Sequence, residues 1–294
     1  MSTTGTNSGF FTLKNLRKET NRPEIFAITS GKGGVGKTNI SVNLALLLRR
    51  LKKNVLLVDA DIHLGNVDLM LGIRPTGNLA DVISGENTLE EIIVKGPTGL
   101  DVLPASSAVL DMIDAEEEVL KKLEEAFLNF EHSYDLVIVD TGAGIGRNVT
   151  SFSLGADKVI VVVTPDPASI ADAYGVIKIL LQKSPGLPIM LVTNMVHSED
   201  EGENLFKKMD LMVQRFLQNK ILFGGAILRD ENVQDSVRRQ KPLVLEYPNS
   251  RPANSLKLMT RNLLKLPSRD ASERVGLFQG VREHRHIIAG KNDD

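Results

Sequence analysis

Short runs of apolar residues alternate along this chain with longer segments in which apolar positions recur every three or four residues, the periods of strand and helix. The runs at 24–30, 54–59, 100–104, 135–140, 158–164, 188–193 and 221–227 predict strands. Several, such as Leu136-Val137-Ile138-Val139, are apolar throughout, as strands covered on both faces are. Helical segments between them make the connections crossovers, so the strands should lie parallel. The expected fold is α/β, a doubly wound, mainly parallel sheet flanked by helices. One domain at 23–266, ending in a core helix at 253–266, lies between a polar stretch at 1–22 and a tail at 267–294. In such a sheet ligands bind beyond the carboxyl ends of the strands, where chemistry should be sought.

The first strand runs into Gly31-Lys32-Gly33-Gly34-Val35-Gly36-Lys37-Thr38, the phosphate-loop spacing of glycine, four residues, then Gly-Lys-Thr. Its backbone N–H groups can curl around a triphosphate at a helix N-terminus, and glycine at 31, 33, 34 and 36 reads as room for that curl. Lys37 would reach the β- and γ-phosphates, and the Thr38 hydroxyl is a hard oxygen suited to Mg²⁺. The second strand ends in Asp59-Ala60-Asp61, two carboxylates facing the same ligand. Four apolar residues precede Asp140, the Walker B arrangement that holds Mg²⁺ directly or through water. Residues 141–146, Thr-Gly-Ala-Gly-Ile-Gly, have glycines that let a backbone respond to a γ-phosphate, as a second switch. The strand at 188–193 leads to Asn194, whose amide matches the donor and acceptor edge of adenine. Guanine is disfavoured, because Asn219-Lys220 continues Ile221-Leu222 and makes no NKxD motif. His63 has no partner in its motif and is assigned no catalytic role.

A net charge of −2 excludes a whole-molecule electrostatic attraction to nucleic acid. The absence of cysteine removes disulfides, iron–sulfur clusters and thiolate zinc sites. No apolar run approaches a membrane span, and the start of the chain lacks the apolar core of a signal peptide, so a cytoplasmic location is expected.

Lys32 directly follows the first glycine, too early to fold back onto phosphates that its own backbone surrounds, so a second subunit's nucleotide is its better target. With that lysine the loop resembles the MinD/ParA class of ATPases, whose signature lysine crosses a two-fold interface. The resemblance implies an ATP-dependent homodimer in which Lys32, Lys37 and Asp61 are catalytic and Asp61 positions the attacking water. It also implies that Asp59 neighbours the metal held by Thr38 and Asp140, that Asn194 reads adenine, and that 227–230, with Asp230, closes over the base. Among the class, the strings DADIHLGNVDLMLG, VIVDTGAGIG, TPDPASIADAYGVIKIL and RRQKPLVLEYPNSRPANSL are similar to the flagellar number and placement regulators, the FlhG or FleN family, over residues 25–266. That branch would act on an FlhF-like GTPase or a transcriptional activator. Two features depart from it. Phe11-Thr12 stand where a GTPase-stimulating Asp-Gln would be, and the tail offers only a weak amphipathic face. Val275, Leu277, Phe278 and Val281 with Arg274, Arg282 and Arg285 could make a weak contact with an anionic membrane surface at the cell pole or inner face, although Gly276 and Gly280 weaken a helix, and a docked or disordered tail is the alternative. Alternatives are a MinD- or ParA-like positioning ATPase and a metabolic P-loop ligase. Arg238, Arg239 and Lys241 are few for direct nucleic-acid binding.

Overall fold

In the computed structural model, which describes residues 22–61, 65–104, 117–130, 133–266 and 274–288, every strand read from the sequence is present. They are β1 (Glu24–Ser30), β2 (Val55–Ala60), β4 (Asp101–Leu103), β5 (Leu136–Ala143), β6 (Lys158–Val163), β7 (Ile189–Val196) and β8 (Leu222–Leu228). One strand was not foreseen, β3 (Val94–Lys95), which is antiparallel to β4 and too short at two residues to leave a periodic signal. The strand order is β3-β4-β2-β5-β1-β6-β7-β8, and all other pairings are parallel. β1 is central, between β5 and β6, and pairing of β2 with β5 sets Asp59 level with Asp140.

The pleat sends alternate residues to two cores, which explains the continuous apolar runs. Ile25 and Ala27 face α5 (Glu117–Phe130), α6 (Arg147–Gly155), α7 (Pro167–Lys183) and α8 (Glu199–Leu217). Phe26 and Ile28 face α1 (Lys37–Arg50), α2 (Val67–Leu71), α10 (Leu243–Glu246) and α11 (Arg251–Lys265). The helix expected at 253–266 is α11, which starts at Arg251 under a Ser250 cap and buries Ala253, Leu256, Met259 and Leu263. The short α3 (Leu79–Ser84) and α4 (Leu89–Ile92) each begin with a capping box, from Asn78 and Thr88, and α9 (Glu231–Arg238) is capped by Asp230.

Of the readings open for the tail, the docked one is found. α12 (Leu277–Ile288) forms despite its glycine, and Leu277, Phe278 and Val281 are buried in the first core. Phe278 packs edge-on against Phe127 of α5 and Phe152 of α6, with ring centroids 4.6 and 6.3 Å apart. Gly280 is what allows this approach, since a Cβ there would lie 2.8 Å from Cα of Gly155. Arg282 bonds Glu124 at 2.8 Å. The apolar face that could have met lipid is therefore covered by the protein itself, and one of its arginines is paired with a helix of the domain.

Candidate nucleotide site

The phosphate loop joins β1 to α1 and is held from two sides. A Cβ on Gly31 would fall 2.2 Å from the backbone of Asp172 in α7, and one on Gly36 2.5 Å from Nδ2 of Asn194. Gly34 and Gly36 also adopt left-handed φ of 75° and 96°. Nothing lies within 4 Å of a Cβ on Gly33 or Gly34, so crowding within the curl, expected at all four glycines, gives way to packing against α7 and β7 at two of them. α7, α8, α9 and α11 are capped by their own preceding side chains, whereas Gly36 gives α1 no side-chain cap. The first N–H groups of α1 thus remain available to an anion. Beside them opens a cavity of about 700 Å³ whose walls include Gly33, Gly34, Gly36, Lys37, Thr38 and Asp61.

Lys37 is buried, with Nζ donating to Oγ of Ser30 at 3.0 Å. Burial pushes its pKa down, while Asp140 and Asp61 pull it back up. An ammonium withdrawn from water and aimed at a phosphate loop is poised to gain from an anionic ligand. Asp140 is fully inside. Ser41 donates to its Oδ1 at 2.7 Å, and the Thr38 hydroxyl also lies beside the carboxyl. Burial raises the Asp140 pKa to about 6 against these hydrogen bonds and Lys37. For Asp59 burial, then the Asp140 charge, raises it to about 7.

The residues fit a Mg²⁺ ion. Oδ2 of Asp140 is buried without a hydrogen-bond partner among the described residues, next to Thr38. No cluster of three or more acidic, histidine or cysteine ligands occurs among the described residues. That suits an ion bound by one or two protein oxygens with phosphates and water. Asp59, expected beside the metal, turns to the backbone, its carboxylate accepting the N–H of Asp61 at 3.1 Å and of Val67 at 3.4 Å. It thereby fixes the two ends of the loop between β2 and α2. Asp61 lines the phosphate cavity and lies close to Gly142. A second cavity, of about 570 Å³, lies across Asp61, but Asp59, Asp61, Asp68 and Asp81 line it and would repel phosphate.

The remaining sequence candidates take up positions that the motif alone did not give. Asn194 is buried, and its Nδ2 donates to the carbonyl of Val35 at 2.7 Å, bracing the phosphate loop. Asp230 accepts the N–H of Asn232 at 2.9 Å as the α9 cap. Lys32 is half exposed and bonds Asp166, the cap of α7, at 2.6 Å. Its ammonium and the N–H of Ser169 hold the Asp166 carboxyl below the usual range. β5 continues to Ala143, so the second switch begins as strand before Gly144 turns with φ 93°. His63 and the Phe11-Thr12 region lie outside the described residues. Ser30, Ser41 and Asp166 were not singled out from the sequence. Ser41 had a signal, since it lies four residues after Lys37 on the same face of α1.

A family model described as an AAA domain matches residues 23–184. The septum site-determining protein MinD of Pyrococcus horikoshii, solved with Mg-ADP, superposes with a TM-score of 0.67 at 26% identity, covering 83% of this chain and 96% of that one. The antiactivator FleN of Pseudomonas aeruginosa is 39% identical over 83% of this chain and 87% of its own length. This chain belongs to the MinD/ParA family of P-loop ATPases. A further relative is the flagellum site-determining protein YlxH of Helicobacter pylori, 37% identical over 77% of this chain and 76% of its own. As a MinD/ParA-family ATPase the chain binds ATP and hydrolyses it. No described helix is long and apolar enough to cross a membrane.

Proposed function

We propose that this MinD/ParA-family ATPase regulates flagellar number or placement by switching between a monomer and an ATP-bound homodimer. Of the relatives above, one is by name a flagellum site-determining protein and one an antiactivator, and the chain shares the sequence strings that resemble the FlhG or FleN family. The observation that carries the switch is the position of Lys32, an exposed cation at the lip of the phosphate cavity rather than inside it. Two exposed apolar side chains, Leu69 and Val237, line the same opening, and a third, Met195, lies against the loop near Gly36. Such a rim suits burial against a second copy.

Lys37 and the first N–H groups of α1 bind and orient the triphosphate. Bound at Thr38 and Asp140, Mg²⁺ would neutralise charge on the phosphate oxygens. Asp61 orients the water, and Asp59 keeps Asp61 in place through its backbone. Asn194 and the 227–230 segment flank the base, Asn194 while bracing Val35 and Asp230 by ordering α9. Loss of the γ-phosphate removes contacts from the loops after β2 and β5, so the two nucleotide states differ in the surface they offer. The partner is a transcriptional activator, by analogy with a relative named an antiactivator.

Flagellar counts in cells test this reading. Replacing the native copy by Lys37→Ala should give the same abnormal number or placement of flagella as removing the protein. A normal pattern in the Lys37→Ala strain, with the variant present at wild-type level, would contradict it.

A further inference from the structure

α9 closes with two backbone bonds, from the N–H of Gln240 to the carbonyl of Val237 at 3.0 Å and from the N–H of Lys241 to the carbonyl of Ser236 at 3.0 Å. That pattern puts Gln240 at the position of the turn that needs a left-handed backbone, and its φ is 54°. The same pattern ends α2 and α3 on Gly72 and Gly85, the residue type that takes this conformation without strain. Lys52 takes it at the end of α1 remote from the phosphate loop, so a non-glycine there does not by itself mark a function. Gln240 differs in its surroundings. It lines the cavity beside the phosphate loop, with Val237 three residues earlier and Asn39 just after Thr38. It is exposed, and its amide has no hydrogen-bond partner among the described residues. Two of its basic neighbours are engaged elsewhere, Arg239 with Asp235 at 2.6 Å and Lys241 with Glu246 at 3.5 Å.

We propose that Gln240 is a specificity-determining residue of the nucleotide site, its amide bonding the ribose hydroxyls of ATP. This rests on the placement of phosphates and base given above. With the phosphates on Gly33–Thr38 and the base beside Asn194 and 227–230, the sugar fills the span between them. α9 crosses that span from its Asp230 cap to Gln240. A ribose hydroxyl both donates and accepts, and so does a primary amide, whereas a cation only donates and would seek the phosphates. Val237 is apolar and leaves the polar contact to Gln240. A glutamine held where glycine is at ease is thus explained by the amide it carries to the cavity.

The test is the dissociation constant of ADP and of 2′,3′-dideoxy-ADP, each with Mg²⁺, by isothermal titration calorimetry. Wild type should bind ADP the more tightly. Gln240→Gly and Gln240→Met should each weaken ADP about three- to tenfold, the range for one hydrogen bond between neutral groups, and leave dideoxy-ADP unchanged. Glycine suits a φ of 54°, so Gln240→Gly should not lower the melting temperature without nucleotide. Methionine keeps the length of the side chain and the strained backbone while removing the amide. A loss shared by both variants therefore belongs to the amide and not to the turn. Equal wild-type affinity for the two nucleotides, equal losses for both in the variants, or no loss in either variant would overturn the role of Gln240 while leaving the nucleotide site standing. If wild type binds neither nucleotide, the reading of the site fails and this inference falls with it.

Discussion

Asp140 sits wholly inside the protein with one oxygen lacking a donor among the described residues, and Asp59 lies level with it on the next strand. Burial favours the neutral form of both, raising them to about 6 and about 7. A carboxyl raised in this way contributes its full stability below its ordinary pKa of about 4 and loses it as pH climbs through the raised value. Nucleotide-free protein should therefore lose stability between about pH 4 and about pH 7 through these groups. Asp140→Asn is neutral at every pH and should lack its share of the loss. Thermal melts should show the variant gaining on wild type as pH rises, and a constant gap across that range would contradict the assignment. At this scale the sequence was most legible where spacing alone dictates chemistry, as for Lys37, Thr38 and Asp140. Ser30 and Asp166 were not legible, because the first supports Lys37 across the loop and the second reaches Lys32 from a helix more than a hundred residues away.

Elements were read best where the apolar run was long and covered on both sides. β5 and β6 show this, and β3, at an edge with two residues, shows the converse. Lys158 illustrates a different blindness. It opens β6 yet is buried, with Nζ 2.8 Å from Glu24 and 3.0 Å from the carbonyl of Leu266. Nothing local in the sequence marks a lysine destined for the interior. α12 was left open between lipid contact and docking for a related reason, since its apolar face suits lipid or protein equally and Gly280 looks like a helix breaker until Gly155 is opposite. The packing makes a clear prediction. Phe278→Ala should cost about 3–5 kcal/mol, the usual range for emptying a buried aromatic site. Urea unfolding would measure it. A loss near zero would mean that α12 is not part of the folded core in solution.

For the whole molecule, a parallel sheet fixes the carboxyl ends of β1, β2, β5 and β7 on one side, and the phosphate loop, Asp61, Asp140 and Asn194 follow from that geometry. The fold class was legible because each apolar run was separated from the next by a helix, which excludes hairpins between those runs. The proposed second state of the switch is a property of two chains, and Lys32 with the exposed apolar Leu69, Val237 and Met195 is the feature of one chain that supports it. The central claim is best tested by the light-scattering mass of Asp61→Ala, in which hydrolysis is expected to be blocked, with ATP and Mg²⁺, with ADP and Mg²⁺, and without nucleotide. The expected result is a dimer with ATP and a monomer in the other two conditions. The same mass in all three would contradict a nucleotide-gated dimer.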